Sequence, residues 1–330
     1  MSSRIALVTG GLGFIGSHTV DLLLDHGYEV RVIDNLVGGR RSNLEKHKND
    51  PKLKIEIADI RTLKPGNKIF SEISHVFHFA GLGDIVPSIE NPADYMSVNV
   101  QGTINILEAA RSSPNFKKFV YAASSSCYGL AQTPTDETCP IKPLYPYALS
   151  KHMGEVACFH WHQVYNLPVN SIRIFNAYGT RSRTSGTYGA VFGVFLKQKL
   201  ENKCFSVVGD GEQRRDFLYV TDVAKAFKLA AETEKYGQTW NLGAGHPQSI
   251  NRLVELLEGE VEFLPKRPGE PDITFANIKK ISNDLGFFPS VSFEQGVAKI
   301  LENIEYWRQA PLWDKEKIHL ATKSWFDKMS

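Results

Sequence analysis

Short runs of apolar and β-branched residues recur along the first half of the chain: Ile5 to Val8, Glu29 to Ile33, Lys54 to Ile57, His75 to Phe79, Phe119 to Ala122 and Val169 to Ile174. Between them lie stretches with helical patterning, among them Ile15 to His26, stopped by Gly27, and Asp94 to Arg111, with Pro114 beyond it. Strand, helix, strand repetition of this kind predicts a parallel sheet covered by helices on both faces. Six strands before residue 175 make this a doubly wound α/β fold, with residues 1–175 as its main domain.

After Arg173 the pattern loosens. Gly179, Ser182, Ser185, Gly186 and Gly189 cluster, and mixed short helices and strands follow, so residues 176–330 are expected to form a smaller mixed α/β region that binds substrate and ends in a helical tail. Two later segments, Phe217 to Val220 and Thr239 to Leu242, are strand-like again, which makes 217–245 a candidate to return to the main sheet. The stretch Leu264 to Asp272, rich in proline, glycine and charge, reads as an ordered surface or ligand-facing loop.

Composition narrows the function classes. A chain with 42% hydrophobic and 22% charged residues is an ordinary globular protein, which excludes disorder and coiled coil. Its 38 basic and 36 acidic residues leave a net charge of +2, so there is no electrostatic reason to bind nucleic acid or an anionic membrane. The longest apolar stretch, Ala190 to Leu196, is broken by Gly193 and is far short of the roughly 18 residues a spanning helix needs. Cys127, Cys139, Cys158 and Cys204 form no CxxC pair, so neither a metal site nor a disulfide framework is expected, and a reducing, cytoplasmic setting is.

The first chemistry-bearing motif follows the first strand. Gly10, Gly13 and Gly16 stand where a backbone must turn sharply, approach a pyrophosphate and pack a helix onto a strand. Phe14 and Ile15 open that helix, whose N-terminus offers N–H groups and a positive dipole to phosphates. The second strand ends in Asp34 and Asn35, 18 residues beyond Gly16 in the case of Asp34. A carboxylate there accepts both ribose hydroxyls and repels a 2′-phosphate, which favours NAD over NADP. Asp59 and the adjoining Ile60, after the third strand, are candidate neighbours of the adenine. The spacing TGGLGFIG, GxxGxxG after Thr9, resembles the nucleotide fingerprint of the extended short-chain dehydrogenase/reductase superfamily, which implies a catalytic Tyr and Lys four residues apart downstream.

Tyr147 and Lys151 meet that expectation. Residues i and i+4 share one face of a helix, so phenol and ammonium can point into one cleft. An ordinary phenol is too weakly acidic to act as a base at neutral pH, and a neighbouring cation together with an oxidised nicotinamide favours the phenolate. Upstream, the strand Phe119 to Ala123 runs into Ser124, Ser125 and Ser126 at a carboxyl strand end, where doubly wound folds place ligands. Ser124 is the candidate for holding the reacting oxygen, and strand-end capping is the other role open to these hydroxyls. Cys127 reads as a buried structural thiol.

Taken together, TGGLGFIGSHT, VIDNL, VFHFAG, SVNVQGTINILEAA, SSSCYG, the Tyr147/Lys151 pair, RIFNAYG, GDGEQRRDFLYVTDVAKA, WNLGAG and RPGEP resemble the nucleotide-sugar epimerase/dehydratase family over residues 4–310, most of all its UDP-galactose and UDP-N-acetylglucosamine 4-epimerases. The resemblance implies a Rossmann domain holding NAD, with Tyr147 as base, Lys151 on the nicotinamide ribose and Ser124 on the sugar 4-OH. It places Asn99 and the His78 to Gly81 stretch, including Phe79 and Ala80, along the NAD site. It carries Asn176, Arg215, Arg267 and Glu270 over to the uridine diphosphate, while Arg181, Arg183 and Arg214 read as surface charges. Thr274 falls where relatives limited to unacetylated sugars carry a tyrosine, and implies room for an N-acetyl group.

The same resemblance separates chemistries. Related 4,6-dehydratases carry an acidic pair directly after the catalytic hydroxyl and UDP-glucuronate decarboxylases usually keep the Glu, whereas this chain has Ser125 and Ser126. The expected reaction is NAD-dependent 4-epimerisation of a UDP-hexose or UDP-N-acetylhexosamine. Decarboxylase, 4,6-dehydratase, 4-ketoreductase and a non-catalytic dinucleotide sensor are the alternatives. Family members pair through the helices at 94–111 and 147–165, which implies a homodimer. Gly83, where some relatives have lysine, and the tail 310–330, with Trp313 and Trp325, depart from the pattern; packing against the body is the tail's expected role.

Overall fold

The computed structural model describes residues 4–182 and 191–329. Arg183, Ser185, Gly186, Gly189 and the first residue of the Ala190 to Leu196 run lie outside the described residues. In chain order the first region contains β1 (Ile5–Thr9), α1 (Phe14–Asp25), β2 (Glu29–Asp34), β3 (Leu53–Ile57), β4 (His75–His78), α2 (Ile85–Glu90), α3 (Pro92–Met96), α4 (Thr103–Arg111), β5 (Lys118–Ser124), α5 (Pro146–Tyr165) and β6 (Val169–Ile174). There follow β7 (Asn176–Tyr178), α6 (Val191–Leu200), β8 (Phe205–Val208), β9 (Arg214–Arg215), β10 (Phe217–Tyr219), α7 (Val220–Glu232), β11 (Gln238–Leu242) and β12 (Gln248–Ser249). The chain ends with α8 (Ile250–Leu257), β13 (Val261–Leu264), α9 (Lys279–Leu285), α10 (Phe293–Glu302) and α11 (Lys315–Met329).

Seven parallel strands form the main sheet in the order β11-β6-β5-β4-β1-β2-β3. The order reverses between β1 and β4, the switch point at which doubly wound sheets open a crevice beyond the carboxyl strand ends. One face is covered by α1 and α7, with Val20, Leu23, Val223 and Phe227 fully buried. The other is covered by α4 and α5, through Ile106, Leu107 and Cys158. A separate core of Phe195, Phe205, Leu253 and Trp307 holds the second region.

Two expectations need correction. Of the later strand-like segments only Gln238–Leu242 joins the main sheet, at its edge beside β6. Phe217–Tyr219 pairs instead with Asn176–Tyr178, outside that sheet, because the chain leaving β6 continues directly into a second short strand that needs a partner. The helix read from Asp94 starts at Pro92 and carries a π-helical turn, Ser97–Gly102, before α4. Such turns widen the backbone and are frequent near functional sites. Local signals elsewhere act as read: Gly27 at φ +79° follows the end of α1, and Pro146 opens α5 where its missing N–H costs nothing.

Candidate active site

A cleft of about 770 Å³ opens at the switch point. Its floor is the turn after β1. An added Cβ on Gly16 would fall 2.1 Å from the Gly10 carbonyl oxygen, and one on Gly10, whose φ is +68°, would fall 2.9 Å from the Ala80 nitrogen. The turn is therefore closed against its own helix and against the loop after β4, a cradle that only glycine permits. Gly10, Gly13, Phe14, Ile15 and Gly16 line the cleft, with the start of α1 facing it. It is also lined by Asp34, Asn35, Asp59 and Ile60, and by Phe79, Ala80 and Gly81.

Asp34 ends β2 and is fixed by two backbone donors, Leu12 N at 3.0 Å and Leu36 N at 2.8 Å. Burial pushes its carboxyl up while these N–H groups draw it down. Asp59 is held by a fork from Arg61, Nε at 3.0 Å and Nη2 at 2.7 Å, which lowers it to about 2. Asn35 also donates to it, at 3.2 Å. Arg61 lines the cleft and was missed in the sequence, where nothing distinguished it from a surface arginine.

Asn99 sits behind the lining. Its side chain accepts from Leu82 N at 2.8 Å and donates to Leu82 O and to Ser150 Oγ, so it pins the loop 81–83 to α5. The π-helical turn is what brings Asn99 to this position, a placement that periodicity could not reveal. Below it, the buried His78 ring bridges the Thr9 and Thr103 hydroxyls at 2.7 and 3.0 Å, tying β1 and β4 to α4.

Ser124, Tyr147 and Lys151 meet on one wall of this cleft. The Ser124 hydroxyl is in hydrogen-bonding contact with the Tyr147 phenol and donates to Ser126 Oγ at 3.0 Å, while Ser126 in turn contacts the Tyr145 phenol. Ser126 N also donates to Ser124 Oγ, so Ser124 caps the turn 125–128 as well as facing the cleft. Burial pushes Tyr147 up to about 12, opposed by Ser124, and pushes Lys151 down to about 8. The expected depression of Tyr147 by Lys151 is thus not what dominates here: within the protein's own groups, desolvation wins, and the phenol is neutral at pH 7. Lys151 Nζ lies 4.5 Å from the centre of the Tyr121 ring, whose hydroxyl donates to Lys151 O. Cys127 is buried and raised to about 12, an inert thiol.

The residues carried over to the nucleotide end gather in the second region. Arg215 Nη2 donates to Glu270 Oε1 at 2.7 Å, and Arg267 Nη1 lies 3.8 Å from Glu270 Oε2. Thr274 Oγ1 donates to Asn176 Oδ1 at 2.6 Å. The short pairings of β7 with β10 and of Arg214 with Ile273 bring these four segments together. Arg214 is exposed, whereas Arg181, read as a surface charge, is half-buried and bonded to Asp21 at 2.9 Å. Among the described residues no helix is long and apolar enough to cross a membrane.

A doubly wound sheet with a glycine cradle, an acid at the end of β2 and a Ser, Tyr, Lys wall lining one cleft defines a nucleotide-dependent oxidoreductase-like site. Residues 6–243 match the model of the NAD dependent epimerase/dehydratase family, and the chain belongs to that family. A putative UDP-glucose 4-epimerase of Methanocaldococcus jannaschii is 37% identical over 304 residues, 89% of this chain and 96% of that one. A UDP-N-acetylglucosamine 4-epimerase from Methanobrevibacter ruminantium M1, solved with UDP-N-acetylmuramic acid, is 33% identical with a TM-score of 0.85, covering 92% of this chain and all of that one. A UDP-glucuronic acid 4-epimerase from Bacillus cereus, solved with UDP-glucuronic acid and NAD, is 30% identical with a TM-score of 0.85, covering 92% and 99%.

Proposed function

We propose that the chain is an NAD-dependent 4-epimerase of UDP-sugars, acting on a UDP-hexose or UDP-N-acetylhexosamine. The carrying observation is the cleft wall itself: Ser124, Tyr147 and Lys151 together, followed by Ser125 and Ser126 in place of the acid pair that elimination chemistry requires. The glycine cradle and Asp34 fit the cofactor, with Gly10 to Gly16 for the pyrophosphate, Asp34 for the adenosine ribose and Lys151 for the nicotinamide ribose. When bound, NAD supplies a positively charged ring and a reversible hydride acceptor for C4.

The chain's own groups supply the rest. Ser124 holds the sugar 4-oxygen, and Tyr147 takes its proton as the 4-keto sugar forms and returns one to that same oxygen once the sugar has turned its other face to the cofactor. Burial keeps the phenol protonated until positive charge enters the cleft, which couples base formation to cofactor binding. Arg215 and Arg267 suit the uridine diphosphate as fork donors, with Glu270 for ribose hydroxyls. Incubation with a panel of UDP-sugars, read by NMR, tests this. Interconversion of 4-epimers without net NADH or CO2 supports it; CO2 release or a free 4-keto sugar would make the chain a decarboxylase or dehydratase.

The assembly proposed is a homodimer, supported by the exposed apolar row Leu149, Met153, Val156 and Val164 along α5. Sedimentation would report it, and a monomer would refute it. The four free thiols suit a reducing, cytoplasmic setting.

A further inference from the structure

The tail beyond residue 310 does more than pack on the body. Its first part is fastened to the second region: Gln198 Nε2 donates to Trp313 O at 2.8 Å, Lys315 pairs with Glu262 at 3.3 Å, and Ile318 is buried in that region's core. Its last turns reach the first region, where α11 packs on α2 and Ser324 Oγ donates to Glu90 at 3.1 Å. Helix α11 is therefore a strap joining the two regions, with Leu320 exposed on its outer side and Thr322 and Trp325 buried on its inner one.

Trp325 is where the strap meets the site. Its indole N–H donates to Pro268 O at 2.8 Å, inside the loop that carries Arg267 and Glu270. The Arg267 guanidinium lies 5.7 Å from the Trp325 ring centre, and the Tyr145 ring centre is 6.4 Å away. Tyr145 in turn stacks at 6.4 Å and 7° on Tyr147 and contacts Ser126. One indole thus touches the nucleotide-end loop on one side and the hydroxyl network of the catalytic wall on the other. An indole face is the strongest of the aromatic partners for a guanidinium, and its N–H fixes the loop's height at the same time.

We propose that Trp325 is a positioning residue for UDP-sugar binding: through the Pro268 carbonyl and the Arg267 guanidinium it holds the 265–272 loop at the distance from Tyr145 that a bound nucleotide sugar requires. The proposal rests on the assignment of Arg267 and Glu270 to the nucleotide end. Loss of the indole frees that loop without altering the NAD cradle, whose residues are not among the Trp325 contacts named above. The consequence is an effect on substrate affinity rather than on turnover.

The test uses the full chain, UDP as the probe and two variants. Trp325→Leu keeps apolar bulk on the strap but has neither ring face nor N–H; Trp325→Phe restores the ring face. Expected are at least tenfold weaker UDP binding and a matching rise in KM for Trp325→Leu, with kcat and retained NAD within about threefold of wild type, and recovery of part of the affinity in Trp325→Phe, which regains the ring face but not the N–H. A UDP-dependent change in tryptophan emission should be present in wild type and largely lost in Trp325→Phe. Unchanged UDP affinity in Trp325→Leu, or parallel loss of NAD, kcat and UDP affinity without recovery in Trp325→Phe, would overturn the proposal while leaving the nucleotide assignment intact. Failure of wild type to bind UDP would instead overturn that assignment, and this inference with it.

Discussion

Thr274 Oγ1 donates to Asn176 Oδ1 at 2.6 Å while accepting from Asp216 N at 3.3 Å. The hydroxyl thus orients the Asn176 amide, on a small side chain that is expected to lie at the sugar end. Thr274→Ser keeps that bond and should epimerise UDP-glucose and UDP-N-acetylglucosamine alike. Thr274→Tyr should lower kcat/KM for the acetylated sugar at least tenfold more than for the plain one, with some loss on both because Asn176 loses its partner. Equal losses on both sugars would remove Thr274 as the gate.

The contact between Ser124 and the Tyr147 phenol makes an ordering of kinetic losses. Tyr147→Phe should cost about 10² to 10⁴ in kcat, the usual contribution of a positioned acid/base, with UDP-sugar affinity nearly unchanged. Ser124→Ala should cost less, since the phenol remains. Steady-state kinetics with UDP binding measured alongside will show it; near-wild-type turnover by Tyr147→Phe would sink the mechanism.

The glycine cradle predicts a contrast between neighbours. A methyl at Gly16 would meet the Gly10 carbonyl at 2.1 Å, whereas one at Gly13 would meet the same oxygen at 3.1 Å. Gly16→Ala should therefore lose bound NAD outright, and Gly13→Ala should keep a good part of it. Asp34→Ala should lose NAD affinity without losing the fold. Acid release and chromatography of the cofactor, with circular dichroism for the fold, will rank the three; a predominance of NADP in wild type would overturn the role given to Asp34.

His78 should make the protein sensitive to acid. Burial, with Lys151 nearby, lowers its ring to about 3 from an ordinary 6.5. The folded value lies below the unfolded one, so the stability from a neutral His78 is complete above pH 6.5 and is lost as pH falls toward 3. Near pH 5 the loss is about 2 kcal/mol from this residue. Thermal unfolding from pH 7.5 to 5 should show Tm falling steeply in wild type and less steeply in His78→Asn. Parallel slopes would show that His78 is not a source of the acid sensitivity.

The six strands of the first half, the cradle at Gly10 to Gly16 and the pairing of Tyr147 with Lys151 could all be read along the chain because each depends on neighbours within one strand, one turn or one helical repeat. Apolar runs must be buried wherever they go, a turn needs its glycines locally, and i to i+4 spacing fixes a shared face. Tertiary structure alone decided the rest. That Phe217–Tyr219 pairs with Asn176–Tyr178 rather than with the main sheet was a choice among available strand edges. Asn99 turns to Leu82 and Ser150 because a π-helical turn shifts it off the regular helical face. Trp325 lies against Arg267 and Tyr145, far from both in sequence, because an indole's burial depends on which distant surfaces pack together, and no local pattern around it carries that information.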